Sequence, residues 1–340
     1  MHRGLSAACC AITVAALQSV APLQRTPVRR TTRLRAAEPQ YWDWQDNTIR
    51  YTSEGPADGQ PVLFLHGFGS SLETYRDNAP ALAQAGYRCH RLDLLGLGLS
   101  TKASGAYSIG RWREQAAAFL EANANGKPSI MLGNSIGSLI SLDVAAKRPE
   151  LVKGVILNNC AGGMNSKFAL TDPAVPESSQ AASRVFFGVL DFLLGIKPLA
   201  RLLFDKVRTP ETVRSLLEGG VYQNAARVDD ELVRMLTRPA EDAGALETFV
   251  EILTGEPGPR PESLVPLISA QTPIACWWGP EDQVTPLIGV VGQFFRRLPA
   301  ERASAEFTLL PGTGHCPFDD RPDLASPALI AWLDREWPAA

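Results

Sequence analysis

Cysteine and histidine are sparse in this 340-residue chain, at six and four residues. Cys9 and Cys10 lie near the N-terminus, leaving Cys89, Cys160, Cys276 and Cys316 scattered singly over the rest. Four isolated cysteines make no disulfide framework, and no pair has the short spacing of a zinc site, so no metal is expected. Acidic residues are missing from one region. Residues 1–37 carry six arginines and no carboxylate, and the first acid is Glu38. The remainder holds 27 basic against 36 acidic residues, so the only dense basic stretch lies in the leader. No nucleic-acid partner is expected. The chain has no internal repeat and no Asn-x-Ser/Thr sequon. Gly96-Leu97-Gly98 falls short of dinucleotide-binding spacing and is expected to support a sheet end, so no cofactor is expected either.

What is present begins with the leader. Met1-His2-Arg3 precedes an apolar stretch, 5–17, with small residues Ser19 and Ala21 after it. That fits a secretory signal and is too short to span a membrane. The Arg- and Thr-containing stretch 24–35 follows, in the manner of an organelle transit peptide. The tandem resembles the bipartite presequences of algae whose plastids lie inside extra membranes. Residues 1–40 are therefore expected to be a presequence addressing a plastid, with secretion and a basic linker as the alternative.

With 45% hydrophobic and 20% charged residues, the chain can bury a substantial core. Residues 41–44 and 48–52 alternate around Asp46-Asn47 as a hairpin. Apolar runs at 61–65, 129–132 and 274–278 fit strands buried on both faces of a parallel sheet, joined by strands at 87–93, 152–157 and 305–310. Helical patterns over 74–84, 108–121, 137–147 and 324–337 alternate with them. Between 161 and 265 the alternation stops and only helical patterns appear, over 181–196, from Thr209-Pro210, over 230–236 and over 245–253. The expected architecture is α/β, a mostly parallel sheet flanked by helices, with a core of 41–160 and 266–340 and an inserted helical cap, 161–265. The apolar stretch 181–196 fits cap packing, a greasy channel wall or a membrane-surface contact.

Gly133-Asn134-Ser135-Ile136-Gly137 lies between an apolar run and a helical pattern. A Gly-x-Ser-x-Gly turn between strand and helix is the nucleophile elbow of α/β-hydrolases, whose flanking glycines leave room for a sharp turn. Serine needs a base to take its proton. Past the leader there are three histidines. His90 lies mid-strand and His66 opens a loop before the serine, so both are expected to be structural. His315, in Pro311-Gly312-Thr313-Gly314-His315-Cys316-Pro317, follows the last strand and is the expected base. The acid belongs between them in sequence, at Asp282 in the loop after strand 274–278, with Glu281 as its rival. Asp93, Asp143 and Asp191 are expected to be structural. The oxyanion donors are expected to be the backbone N–H groups of Ile136 and Phe68.

These residues resemble the α/β-hydrolase superfamily over about 41–337: His66-Gly67-Phe68-Gly69, Asp93 with Gly96-x-Gly98-x-Ser100, the elbow, Trp278-Gly279-x-x-Asp282 and Gly314-His315. More narrowly the chain resembles the plastid pheophytinase and chlorophyll dephytylase group. The matching residues are Trp42-Asp43-Trp44, Ile49-Arg50-Tyr51, Asn134-Ser135-Ile136-Gly137, Thr209-Pro210-Glu211-Thr212-Val213 and the segment around His315. Ser138 stands where that group usually has glycine and is expected to narrow the space beside Ser135. The resemblance implies hydrolysis of a phytyl ester of a chlorophyll-type pigment, with Ser135 as nucleophile, Asp282 as acid and His315 as base. The expected activity is therefore serine carboxylic-ester hydrolysis of a hydrophobic small-molecule ester, with peripheral thylakoid or membrane-surface contact. Other chemistries of the fold stand as alternatives: lipid or acyl esterase, C–C hydrolase, cofactor-free haloperoxidase, or a ligand-binding receptor with a slow triad.

Overall fold

Strands β3 (Pro61–Leu65), β5 (Ser129–Asn134) and β7 (Ile274–Trp278) are buried at every position, as their unbroken apolar runs require. The computed structural model describes residues 37–337 except 104, 106 and 174. The leader segment 1–36 lies outside the described residues. The remaining strands are β1 (Gln40–Trp44), β2 (Asn47–Glu54), β4 (Arg88–Leu92), β6 (Val152–Asn158) and β8 (Ala305–Leu309). They form one sheet in the order β1-β2-β4-β3-β5-β6-β7-β8, antiparallel from β1 to β4 and parallel from there on.

Strand alternation divides the core into two layers. Leu63, Leu65, Met131, Val155, Leu157, Cys276 and Trp278 point to one face, where they meet Trp112, Phe119, Leu139 and Phe295. Val62, Phe64, Ile130, Leu132, Ile156, Ala275 and Trp277 point to the other, against Tyr75, Leu82, Phe318 and Trp332. Period-two alternation of apolar side chains on both faces is what a sheet sandwiched between helices demands.

Three local differences from the sequence expectations have physical causes. The opening hairpin turns one residue earlier, at Gln45-Asp46, with Gln45 at φ 49° and Asn47 already paired with Trp44. The helix expected over 74–84 is split into a short turn, Leu72–Tyr75, and a helix, Asn78–Gln84. Pro80 has no N–H to give to the carbonyl of residue 76, so the two pieces cannot join. The helix expected over 181–196 runs Glu177–Gly195 and is followed by a separate helix, Lys197–Val207, with Pro198 in its first turn. Helix initiation tolerates proline there without loss, whereas inside a continuous helix Pro198 would forfeit a backbone hydrogen bond.

Between β6 and β7 the described residues form helices and no strand, including Pro210–Leu216, Asp230–Thr237 and Ala245–Thr254. Caps set their starts: Thr209 Oγ1 accepts from Thr212 N–H at 3.2 Å, and Asp229 Oδ1 from Leu232 N–H at 2.7 Å. This segment is tied to the rest of the chain by part-buried ion pairs around the buried Asp319. Arg76 reaches Asp319 at 3.0 Å and Asp229 at 3.1 Å, and Arg227 pairs with Asp319 and Asp77.

Backbones pack closely around the turn between β5 and the helix Ile136–Lys147. A Cβ on Gly137 would lie 2.1 Å from the Leu65 carbonyl oxygen, and one on Gly133 would lie 2.3 Å from Gly137 C. Gly137→Ala is therefore expected to lower stability by at least about 2 kcal/mol, because neither backbone can retreat. Urea unfolding followed by far-UV circular dichroism checks this, and an unchanged midpoint would refute it.

Candidate active site

β5 ends at Asn134 and the following helix begins at Ile136, so Ser135 alone must reverse the chain. It does so at φ 55°, ψ −121°, a conformation that costs a non-glycine residue about 1–3 kcal/mol. Two backbone bonds hold it. Ser135 N–H donates to Asn158 O at 3.0 Å, and Ala161 N–H donates to Ser135 O at 3.1 Å. The hydroxyl is not spent on capping the helix, and the side chain borders an apolar cavity.

His315 and Asp282 meet at the carboxyl ends of β8 and β7. His315 Nδ1–H donates to Asp282 Oδ2 at 2.8 Å, with both residues buried. Burial opposes the charged form of Asp282. Its charge interaction and hydrogen bond with His315, with further bonds from Thr285 and Asn159, outweigh burial and hold the carboxyl below the usual range. It is ionised at neutral pH. Thr285 Oγ1–H and Asn159 Nδ2–H each donate to Oδ2 at 2.6 Å, and the Val284 and Thr285 amides donate to Oδ1 at 2.7 and 3.1 Å. The rival Glu281 is exposed.

The His315 loop is clamped from two sides. Asn134 Nδ2–H, from the elbow, donates to His315 O at 2.9 Å. His315 N–H donates to Val221 O at 2.7 Å, in the helical segment. Asp320 holds that segment in register by accepting the amides of Gly314, Gln223 and Asn224 at 2.8, 2.9 and 2.7 Å. Gly279 and Gly314 permit the close approach, since a Cβ on Gly279 would lie 1.9 Å from Gly314 O.

The expected oxyanion donors flank the same serine. A Cβ on Gly67 would lie 3.2 Å from Ser135 Cβ, so the loop after β3 runs directly over the elbow. Among the described residues, neither Phe68 N–H nor Ile136 N–H donates to another protein group, which leaves both for an anion. His66 locks this loop: Nδ1–H donates to Gly67 O at 2.8 Å, and Nε2 accepts Leu94 N–H at 3.1 Å. Complete burial keeps its ring neutral by lowering its pKa. His90 bonds Ser53 Oγ at 2.7 Å, and burial pushes its pKa down to about 4.

Other residues weighed from the sequence are structural. Asp93 accepts the Leu72 and Leu99 amides at 2.7 and 2.9 Å, and Gly98 turns against its carboxyl group. Asp143 pairs with Arg113 and Asp191 with Lys167. Burial pushes the Cys316 thiol up, so it stays protonated beside Asn134. Ser138 Oγ–H donates to Asn158 O at 3.1 Å, the carbonyl that also accepts Ser135 N–H. Asn159, Thr285, Val221 and Asp320 were missed. Asn159 had a signal, shared with Asn158, as a polar residue at the carboxyl end of a parallel strand; Thr285, well beyond β7, had none. Val221 acts through its backbone, for which no side-chain signal exists.

Ser135, Ile136, Phe68 and Thr285 border a cavity of about 290 Å³ walled by Phe187, Leu190, Leu203, Phe249, Ile252 and Leu253.

The family model for the alpha/beta hydrolase fold matches residues 60–322. The chain is similar to chloroplastic pheophytinase of Arabidopsis thaliana, 26% identical over 310 residues, covering 81% of this chain and 61% of that protein's length. It is similar to the uncharacterized hydrolase YugF of Bacillus subtilis, 26% identical over 269 residues, covering 78% and 87% of the two chains. Among solved structures, a membrane phospholipase A described as a bacterial virulence factor superposes with a TM-score of 0.68 and 25% identity, over 89% of this chain and 87% of that one.

Removing the Asp282 charge tests whether the acid–base pair is a working unit. Asp282→Asn is expected to lower kcat on any ester substrate by about 10⁴-fold, with KM little changed, because the histidine loses its tautomer lock. Steady-state kinetics on protein that still melts cooperatively measure this; a loss under tenfold would refute it.

Proposed function

The chain belongs to the α/β-hydrolase fold family, and on that premise we propose that it is a serine carboxylic-ester hydrolase acting on a hydrophobic ester. One observation carries the reading. A strained, uncapped serine faces an apolar cavity, beside two unspent backbone amides and a loop holding a buried histidine–aspartate pair.

The chemistry follows from that arrangement. Ser135 Oγ attacks the ester carbonyl carbon while His315 Nε2 takes the hydroxyl proton. The carbonyl oxygen becomes an anion and is met by Phe68 and Ile136 N–H, donors worth on the order of 3 kcal/mol each. Asp282 stabilises the imidazolium through Nδ1–H. The tetrahedral intermediate collapses, the C–O bond breaks, and His315 returns its proton to the departing alcohol. Water then gives a proton to His315 and attacks the acyl-enzyme; the second intermediate collapses, the bond to Ser135 Oγ breaks, and His315 returns the proton to Oγ, releasing the acid. The same residues serve both halves.

The helices between β6 and β7 act, in this reading, as the cap that selects substrate. A cavity of about 290 Å³ lies at the lower end of small-molecule sites, roughly 300–1,000 Å³. It has room for an apolar chain, so the bulkier part of a large ester stays outside. We therefore favour a phytyl-type ester of a chlorophyll-like pigment as the substrate. Similarity to a chloroplastic pheophytinase supports this choice, and so does a leader of plastid-targeting composition. Lipid acyl esters are the competing class, favoured by the similarity to a membrane phospholipase A.

Turnover of p-nitrophenyl butyrate is expected from the wild type and is expected to fall at least about 10³-fold in Ser135→Ala. Equal rates would sink the assignment of Ser135. With pheophytin, chlorophyll, galactolipid and simple acyl esters as a panel, mass spectrometry is expected to detect phytol from a pigment. Release of fatty acid alone would replace the pigment reading with the lipid one.

A further inference from the structure

Seven of the twelve large hydrophobic side chains exposed among the described residues fall between Val185 and Leu202. Those 18 residues are a small part of the surface, so the clustering demands a reason beyond the scattered exposure normal for a protein. Val185, Phe192 and Leu202 are each 69% exposed. They lie on the outward sides of the two consecutive helices Glu177–Gly195 and Lys197–Val207. The inward sides of the same helices supply Phe187, Leu190 and Leu203 to the cavity at Ser135. The helix pair is thus apolar towards the cavity and apolar again towards the outside.

Around this face, between Arg184 and Lys206, the exposed charges not held in an ion pair are all cationic. Its two central acids are already neutralised, Asp191 by Lys167 at 2.8 Å and Asp205 by Arg208 at 2.9 Å. Arg184, Lys197 and Lys206 are exposed, and among the described residues no acid pairs with them. A second copy of the chain is a poor occupant, because a symmetric contact would press these cations against each other. No described helix is long and apolar enough to cross a membrane. Exposed apolar side chains with a cationic rim instead match helices that lie in the plane of a lipid surface.

We propose that the face between Val185 and Leu202 docks on a bilayer bearing anionic headgroups. Resting on the esterase reading, docking delivers a membrane-dissolved ester to the cavity through the helix pair that walls it. The docking itself involves no covalent step.

The test uses full-length Ser135→Ala protein, so that binding is read without turnover, and vesicles of phosphatidylcholine with or without phosphatidylglycerol. Sedimentation with the anionic vesicles is expected. Adding Phe192→Glu and Leu202→Glu is expected to weaken partitioning at least about tenfold, the loss of roughly one buried apolar side chain. Lys197→Glu with Lys206→Glu is expected to weaken binding to the anionic vesicles alone. All variants share the leader, so differences among them report this face. With Ser135 intact, the Phe192/Leu202 pair is expected to keep its rate on soluble p-nitrophenyl butyrate and lose rate on a vesicle-embedded ester. Equal vesicle binding by all variants would overturn the proposal, as would a concentration-dependent dimer, broken by the same substitutions, with no vesicle binding. Face-dependent binding without esterase turnover would leave the surface standing and remove the esterase reading.

Discussion

A single residue reversing the chain between β5 and the next helix is the constraint on which the rest of the site depends. Ser135 at φ 55° is held only because Gly133 and Gly137 let three backbones approach to distances that a Cβ would forbid. The same closeness brings the loop after β3 over the serine, and Phe68 and Ile136 line the same cavity. The strain is offset by backbone bonds to Asn158 and Ala161 and by the core packed on both faces of β5. Sites of this kind store local strain because the surrounding structure over-determines it.

Around that turn, the parallel strands bring the candidate residues together at their carboxyl ends. The loops after β3, β5, β6, β7 and β8 contribute Phe68, Ser135, Asn159, Asp282 and His315 in turn. The acid is fixed by donors from two loops, so its position does not depend on the histidine alone. The histidine loop is held by the elbow through Asn134 and by the helical segment through Val221. Movement of that segment would therefore be felt at His315 through a backbone bond, which couples the substrate-facing helices to the proposed base.

Much of this was legible in the sequence, for identifiable reasons. Unbroken apolar runs marked β3, β5 and β7, because only strands buried on both faces read that way. The elbow spacing marked Ser135, since the sterics of the turn dictate its glycines. Scarcity of histidine left His315 with few rivals, and chain order separated Asp282 from most other acids. Legibility failed where tertiary contacts decide. Nothing local distinguishes Asn159 from Asn158, yet only the former reaches Asp282; nor does sequence show that Asp320 gathers three amides while its neighbour Asp319 takes Arg76. For 181–196 the sequence left cap packing, channel wall and membrane contact open, because a helix apolar all round looks the same whether its second face meets protein or not; that Val185 and Phe192 face outward, joined by Leu202 of the next helix, is seen only in the fold.

The account stands on Ser135 being a nucleophile made reactive by His315. Intact and peptide mass spectrometry after treatment with a fluorophosphonate measures this without knowledge of the substrate. One adduct per chain is expected, located on Ser135, absent from Ser135→Ala and slowed severely in His315→Ala. Labelling that persists in Ser135→Ala, or that maps to Cys316 or another serine, would contradict it.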